Sequence, residues 1–137
     1  MASTNNDVRR TTHAKIAKFT DLRAWQLTHG LVIEIYKITK SFPKDEQFGL
    51  TSQVRRAAVS ITSNIAEGFS RSSSEDKKHF YTMALGSLTE VQSQLLIAKD
   101  IKYISEKEFK ELAEKSVDAH KVLNGLRMST GRSVKNA

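Results

Sequence analysis

The chain has 137 residues, 39% of them hydrophobic, with 22 basic against 15 acidic side chains and no cysteine. That length suits one domain with one core. No apolar run approaches the roughly 18 residues of a membrane-spanning helix, and disulfides and thiolate chemistry are excluded.

Residues 1–18 read as a flexible basic tail. Residues 1–20 hold Arg9, Arg10, Lys15 and Lys18 against Asp7. They lack the apolar segment of a secretory signal, so a soluble cytoplasmic protein is expected. Another excess of charge lies at the far end, in Arg132 and Lys135, while residues 21–128 are nearly balanced, 16 basic against 14 acidic. Basic tails attract polyanions without selecting a sequence. They are equally common as solubilising ends.

Alternating strand patterns are missing, and Pro43 is the one proline. Apolar residues instead recur at three- and four-residue steps, the signal of helices. The first helix is expected from Thr20 or Asp21 to Ser41, where Phe42-Pro43 stops it. It carries two apolar stripes, Leu22, Trp25, His29, Val32, Tyr36 and Leu27, Leu31, Ile35, Ile38, Phe42. Their centres lie roughly 130° apart. One stripe suffices for a monomeric bundle; two imply burial inside the bundle and against another subunit.

The second helix is expected over Glu46–Phe69, starting irregularly near Gly49. Leu50, Val54, Ala57, Ile61 and Ile65 form its core stripe, and Gly68 is placed to end it. In the loop Ser70–Ser74, Ser72 with Glu75 or Ser73 with Asp76 would cap the third helix. Its seam is Phe80, Ala84, Leu88, Val91, Leu95 and Ala98, broadened by Leu85 and Leu96, and its end is expected between Lys99 and Lys102. Gly86 inside it costs up to about 1 kcal/mol against alanine, which is reasonable where another backbone comes close. The fourth helix opens on the capping box Ser105-Glu106-Lys107-Glu108, with Ile104 and Phe109 spaced as a hydrophobic staple. Phe109, Leu112, Ser116, Ala119, Leu123 and Leu126 make its seam, and Gly131 suits its end. The expected fold is all-α, an antiparallel up-down-up-down four-helix bundle over residues 19–130, with 131–137 as a C-terminal tail.

Motifs for chemistry are sparse. His13, His29, His79 and His120 include no pair within one helical turn, and Glu-x-x-His, HExxH, GxGxxG, P-loop and GxSxG patterns do not occur. No metal, cofactor or catalytic residue is expected. The one constellation is on the second helix, where Gln53, Arg56, Ser60, Ser63, Asn64 and Glu67 share an arc of roughly 100°. An enzyme would use Glu67 as a general base, which requires a pocket and a partner. The favoured reading is a structural polar seam, with Arg56 paired to Glu90 of a neighbouring helix because a buried charge needs a partner. Arg55 points about 100° from Arg56, so the two cannot serve one patch unless a second subunit contributes.

Several continuous phrases resemble a known family. They are Phe19 to Gln26 (FTDLRAWQ), Phe42 to Glu46 (FPKDE), Phe48 to Ala58 (FGLTSQVRRAA), Ser60 to Gly68 (SITSNIAEG) and Gly86 to Glu90 (GSLTE). The family comprises small four-helix-bundle proteins encoded by intervening sequences in bacterial large-subunit ribosomal RNA genes, and the resemblance covers about residues 19–127. It implies a homopentameric ring. A more distant similarity runs to the accessory variability protein of diversity-generating retroelements, a basic pentamer that works with a reverse transcriptase and its RNA.

The function expected from these readings is a non-enzymatic oligomer that binds nucleic acid, RNA or DNA, through basic residues repeated around a ring. Arg9, Arg10, Lys15, Lys18, Arg55 and Arg71 are the candidates. The alternative is a protein-interaction scaffold with no nucleic-acid role.

Overall fold

The computed structural model describes residues 15–132. Among them are four long helices and no strand: α1, Arg23–Thr39; α2, Leu50–Ser70; α3, Ser74–Asp100; and α4, Glu106–Ser129. Each packs on two others, α1 and α3 both lying against α2 and α4. Short 3-10 turns, Phe19–Asp21 and Lys44–Glu46, precede α1 and α2.

The first helix begins later than its capping residues suggest. Asp21 turns its carboxylate back and accepts from the N–H groups of Ala17 (3.0 Å) and Lys18 (3.1 Å). It thereby stabilises the 3-10 turn, and α1 starts beyond it with no side-chain cap. Those two N–H groups hold the Asp21 carboxyl below its ordinary range.

The buried line of α1 runs between the two expected stripes, through Ala24, Thr28, Leu31, Val32, Ile35 and Thr39. The threonines enter the core because their hydroxyls donate within the helix, Thr28 to the Ala24 carbonyl (2.8 Å) and Thr39 to that of Ile35 (2.7 Å). A satisfied hydroxyl removes most of the cost of burial. The middle and end of the first stripe are left toward the surface. Trp25 is half-buried and stacks on exposed His29 (4.6 Å, 14°), Phe19 meets it edge-on, and Tyr36 is exposed.

Val54, Ala57, Ile61 and Ile65 of α2 are buried as expected, joined by Ala58 and Gly68. Gly68 does not end the helix, which continues to Ser70. It lies where α3 crosses closely: a Cβ there would come within 2.8 Å of Tyr81 Cε1 and 2.9 Å of Phe80 Cβ. The α3 seam holds at Ala84, Leu88, Val91, Leu95 and Ala98. At its start Tyr81 is buried in place of Phe80, since its ring is the one that covers Gly68. Leu96 faces outward, so it does not broaden the seam. Gly86 is exposed, and a Cβ added to it would meet nothing within 4 Å, so none of the other described helices explains it.

The caps match the sequence more closely. Ser73 accepts from the Asp76 N–H, and Ser105 and Glu108 exchange bonds in a capping box. Buried Ile104 and half-buried Phe109 flank that box. Gly131, with φ of 86°, follows the end of α4 in the left-handed region that favours glycine.

Two glycines should respond oppositely to alanine. At Gly68 the added methyl is overpacked, and stability should fall by about 1–3 kcal/mol. At Gly125, exposed on α4 with nothing near it, helix propensity alone acts and stability should rise by about 0.5–1 kcal/mol. Urea unfolding of the two variants checks both signs.

Candidate nucleic-acid interface and polar seam

The six basic candidates separate in the structure. Arg9 and Arg10 lie outside the described residues. Lys15 and Lys18 are exposed just ahead of α1. Arg55 is half-buried and committed to the end of α1. Its Nε donates to Thr39 Oγ1 (2.8 Å), Nη2 to the Tyr36 carbonyl (3.3 Å), and the guanidinium stands 4.6 Å over the Tyr36 ring. A cation at a helix C-terminus is stabilising in itself. Arg71 pairs with Glu67 (3.3 Å) and lies 4.6 Å over the Phe80 ring. Lys77, which sequence reasoning passed over, closes the end of α2 by donating to the Phe69 carbonyl (2.6 Å).

The polar seam also divides. Ser60 Oγ lies 2.9 Å from Ser87 Oγ on α3. Asn64 Nδ2 donates to the Ser60 carbonyl (2.9 Å) and to Ser60 Oγ (3.1 Å). These three half-buried groups satisfy one another in the α2–α3 contact. Gln53, Arg56, Ser63, Glu67 and Glu90 are exposed. Among the described residues the ion pairs are Arg71–Glu67, Lys99–Asp100 and Lys115–Glu34. Arg56 and Glu90 therefore do not form the expected pair. Both side chains reach water, so neither needs a partner to offset burial. Glu90 instead accepts from Gln94 Nε2 (3.3 Å). Sequence reasoning missed Ser87 as the true partner of the seam. Moving back from Gly68 to Ser60 along α2 moves the contact forward from Tyr81 to Ser87 along α3, and that register was the missing signal.

At one end of the molecule the two connecting loops are fastened together. Tyr103 OH donates to Glu46 Oε2 (2.7 Å), while Glu46 Oε1 accepts from the Leu50 N–H at the start of α2 (3.1 Å). Phe42 packs against the Tyr103 ring at 5.2 Å. The Leu50 N–H first, and the Tyr103 hydroxyl second, hold the Glu46 carboxyl below its ordinary 4.5. The same carboxylate raises the Tyr103 phenol above 10.0.

No group of three or more His, Cys, Asp or Glu residues suited to a metal occurs among the described residues. No described helix is long and apolar enough to cross a membrane. A shallow groove of about 240 Å³ between α1 and α4 sets Glu34, Glu108 and Glu111 against Lys37 and Lys115, a mixture that compensates its own charge.

Fold and seam together define a small all-α protein of the four-helix class, whose grouped polar side chains join helices. The sequence profile of the 23S rRNA-intervening sequence proteins matches residues 20–125, and the chain belongs to that family. A solved structure from Bacteroides thetaiotaomicron, described as a protein of unknown function from the S23 ribosomal protein family, has a similar fold. Its TM-score is 0.71 at 20% identity, over 76% of this chain and 97% of that one. No curated protein matches.

Two measurements test these joints. Ser60→Ala and Ser87→Ala should each cost about 1 kcal/mol, and the double variant less than the sum, by urea unfolding. Tyr103→Phe should lower the melting temperature most near neutral pH. The Glu46 contribution is present above its unfolded value of 4.5 and is lost as pH falls through the lower folded value. The Tyr103 contribution is present below 10.0 and is lost as pH rises through its raised folded value. The wild-type advantage should therefore shrink at both extremes in melts taken across pH.

Proposed function

We propose that this protein is a non-enzymatic, self-assembling bundle that binds RNA through basic residues repeated around a ring. In this reading the helices run antiparallel, up-down-up-down, as the Gly68–Tyr81 and Ser60–Ser87 contacts suggest. The ring is five-membered by the family resemblance.

One observation carries the self-assembly: charge is distributed unequally among the helices. Ten of the 24 residues of α4 are charged, against three of 21 in α2. Between Lys78 and Lys99, α3 holds a single charge, Glu90. A helix normally places charge on its water side. Here α4 does, while the outward sides of α2 and α3 present residues such as Val59, Thr62, Met83, Gly86 and Ile97. The outer side of α1, with half-buried Trp25 and exposed His29, Ile33 and Tyr36, adds to that uncharged surface.

For the ligand, the commitments of Arg55 and Arg71 leave Arg9, Arg10, Lys15 and Lys18 of the six candidate cations. Self-assembly would gather several copies of this segment and raise its local charge.

Mobility shifts of structured RNA with the untagged protein test this reading. Binding is expected at low salt and should weaken as salt rises. Replacing Arg9, Arg10, Lys15 and Lys18 together by Gln should reduce the slope of log affinity against log salt by roughly 3 for each copy of the segment that contacts the RNA, at about 0.7 per single-strand phosphate contact. No shift at low salt overturns the RNA assignment. Light scattering that reports the protomer mass of 15.4 kDa overturns the assembly.

A further inference from the structure

Phe48 is 90% exposed, by far the most exposed large apolar side chain among the described residues. Its loop is built to hold it there. The 3-10 turn Lys44–Glu46 precedes it, and Gly49, which caps α2, follows. Glu46 Oε1 sits within 2.6 Å of where a Cβ on Gly49 would be. The Glu46 carboxylate is held by Leu50 N–H on one side and Tyr103 OH on the other. An aromatic ring in water on a pinned loop has the character of an interface anchor, because little ordering remains to be done when it docks.

The surrounding charge indicates what it meets. Residues 40–49 carry Lys40 and Lys44 against Asp45 and Glu46; residues 99–108 carry Lys99, Lys102 and Lys107 against Asp100, Glu106 and Glu108. The two loops themselves carry no net charge, so they offer a nucleic acid stacking on Phe48 no excess of phosphate contacts. A matching recess exists on the same chain. Between α3 and α4, Leu95, Leu96, Phe109 and Val117 line an almost wholly apolar groove of about 200 Å³. An apolar cavity of about 150 Å³ takes up benzene. Leu96 and Val117 are nearly half exposed, as are Ile97 and Ile101 beside them.

We infer that Phe48 of one copy seats in the Leu96–Phe109–Val117 groove of the next. Knob and groove lie at the same end of the bundle, since the Tyr103–Glu46 bond ties the Phe48 loop to the α3–α4 loop. At 1.5 Å per residue, Leu96 is about 6 Å from the end of α3 and Phe109 about 5 Å into α4. A ring whose axis follows the helices keeps contacting residues at one level, and these two groove residues lie nearest that of Phe48. Because knob and groove are different surfaces, the contact is heterologous and propagates around a ring. The inference rests on the self-assembly part of the proposed function and not on RNA binding.

The absence of cysteine makes a direct test clean. Phe48→Cys combined with Leu96→Cys should give, on oxidation of the full chain, a ladder of covalent multimers on denaturing gels; either substitution alone should not. Separately, Phe48→Ala should raise the concentration for half-assembly at least about 30-fold by light scattering, the usual effect of truncating an anchor. Circular dichroism should show an unchanged helical spectrum, because Phe48 supports no core contact. A wild-type protein that stays monomeric overturns this inference together with the assembly. A wild type that assembles, with Phe48→Ala assembling equally well or the double variant giving no multimers, overturns this contact alone. RNA mobility shifts report on the other half of the reading independently.

Discussion

The close approach of α2 to α3 is the contact on which the rest of the structure depends. Gly68 lets the Tyr81 ring and the Phe80 Cβ come in where any side chain would intrude. Ser60, Asn64 and Ser87 then fill the middle of the same contact with small groups that satisfy one another. With those two points fixed, Ile61, Ile65, Ala84, Leu88 and Val91 meet at essentially zero exposure. Larger side chains along this seam would hold the helices apart and open voids that packed interiors do not tolerate.

At the loop end a different constraint operates. Beside the Phe42–Tyr103 ring contact, the connection is made by a carboxylate shared between a backbone N–H and a phenol. Such charge-assisted bonds are directional. The bond therefore positions as well as stabilises, and what it positions is the exposed ring of Phe48. The cations of this family member are handled similarly. Arg55, Arg71 and Lys77 all sit against aromatic rings and carbonyl or carboxylate oxygens near helix ends.

Much of the fold was legible in the residues. Four helices, the Ser73 and Ser105 caps and most of the α3 and α4 seams follow from spacing, because a helix buries one face and its first N–H groups need partners whatever the fold. The site was legible only in part. The seam around Ser60 stood out as an arc of small polar groups, but its partner Ser87 was not named, and Arg56 was assigned a pairing with Glu90 that its exposure makes unnecessary. Thr28 and Thr39 were missed as core residues because a hydroxyl bonded within its own helix looks polar in a sequence and behaves as apolar in a core.

The sequence by itself determined element type, the Ser73 and Ser105 caps, the charge imbalance among the helices and the family. These depend on neighbours within a turn or two. Only the tertiary structure decided that Gly68 is a crossing point and not a stop, that Gly86 meets no described neighbour, that Arg55 bonds to the end of α1 and Arg71 to Glu67, and that Phe48 stands in water. Each of these depends on which atoms of distant segments arrive at a given point, and local periodicity carries no information about inter-helix register.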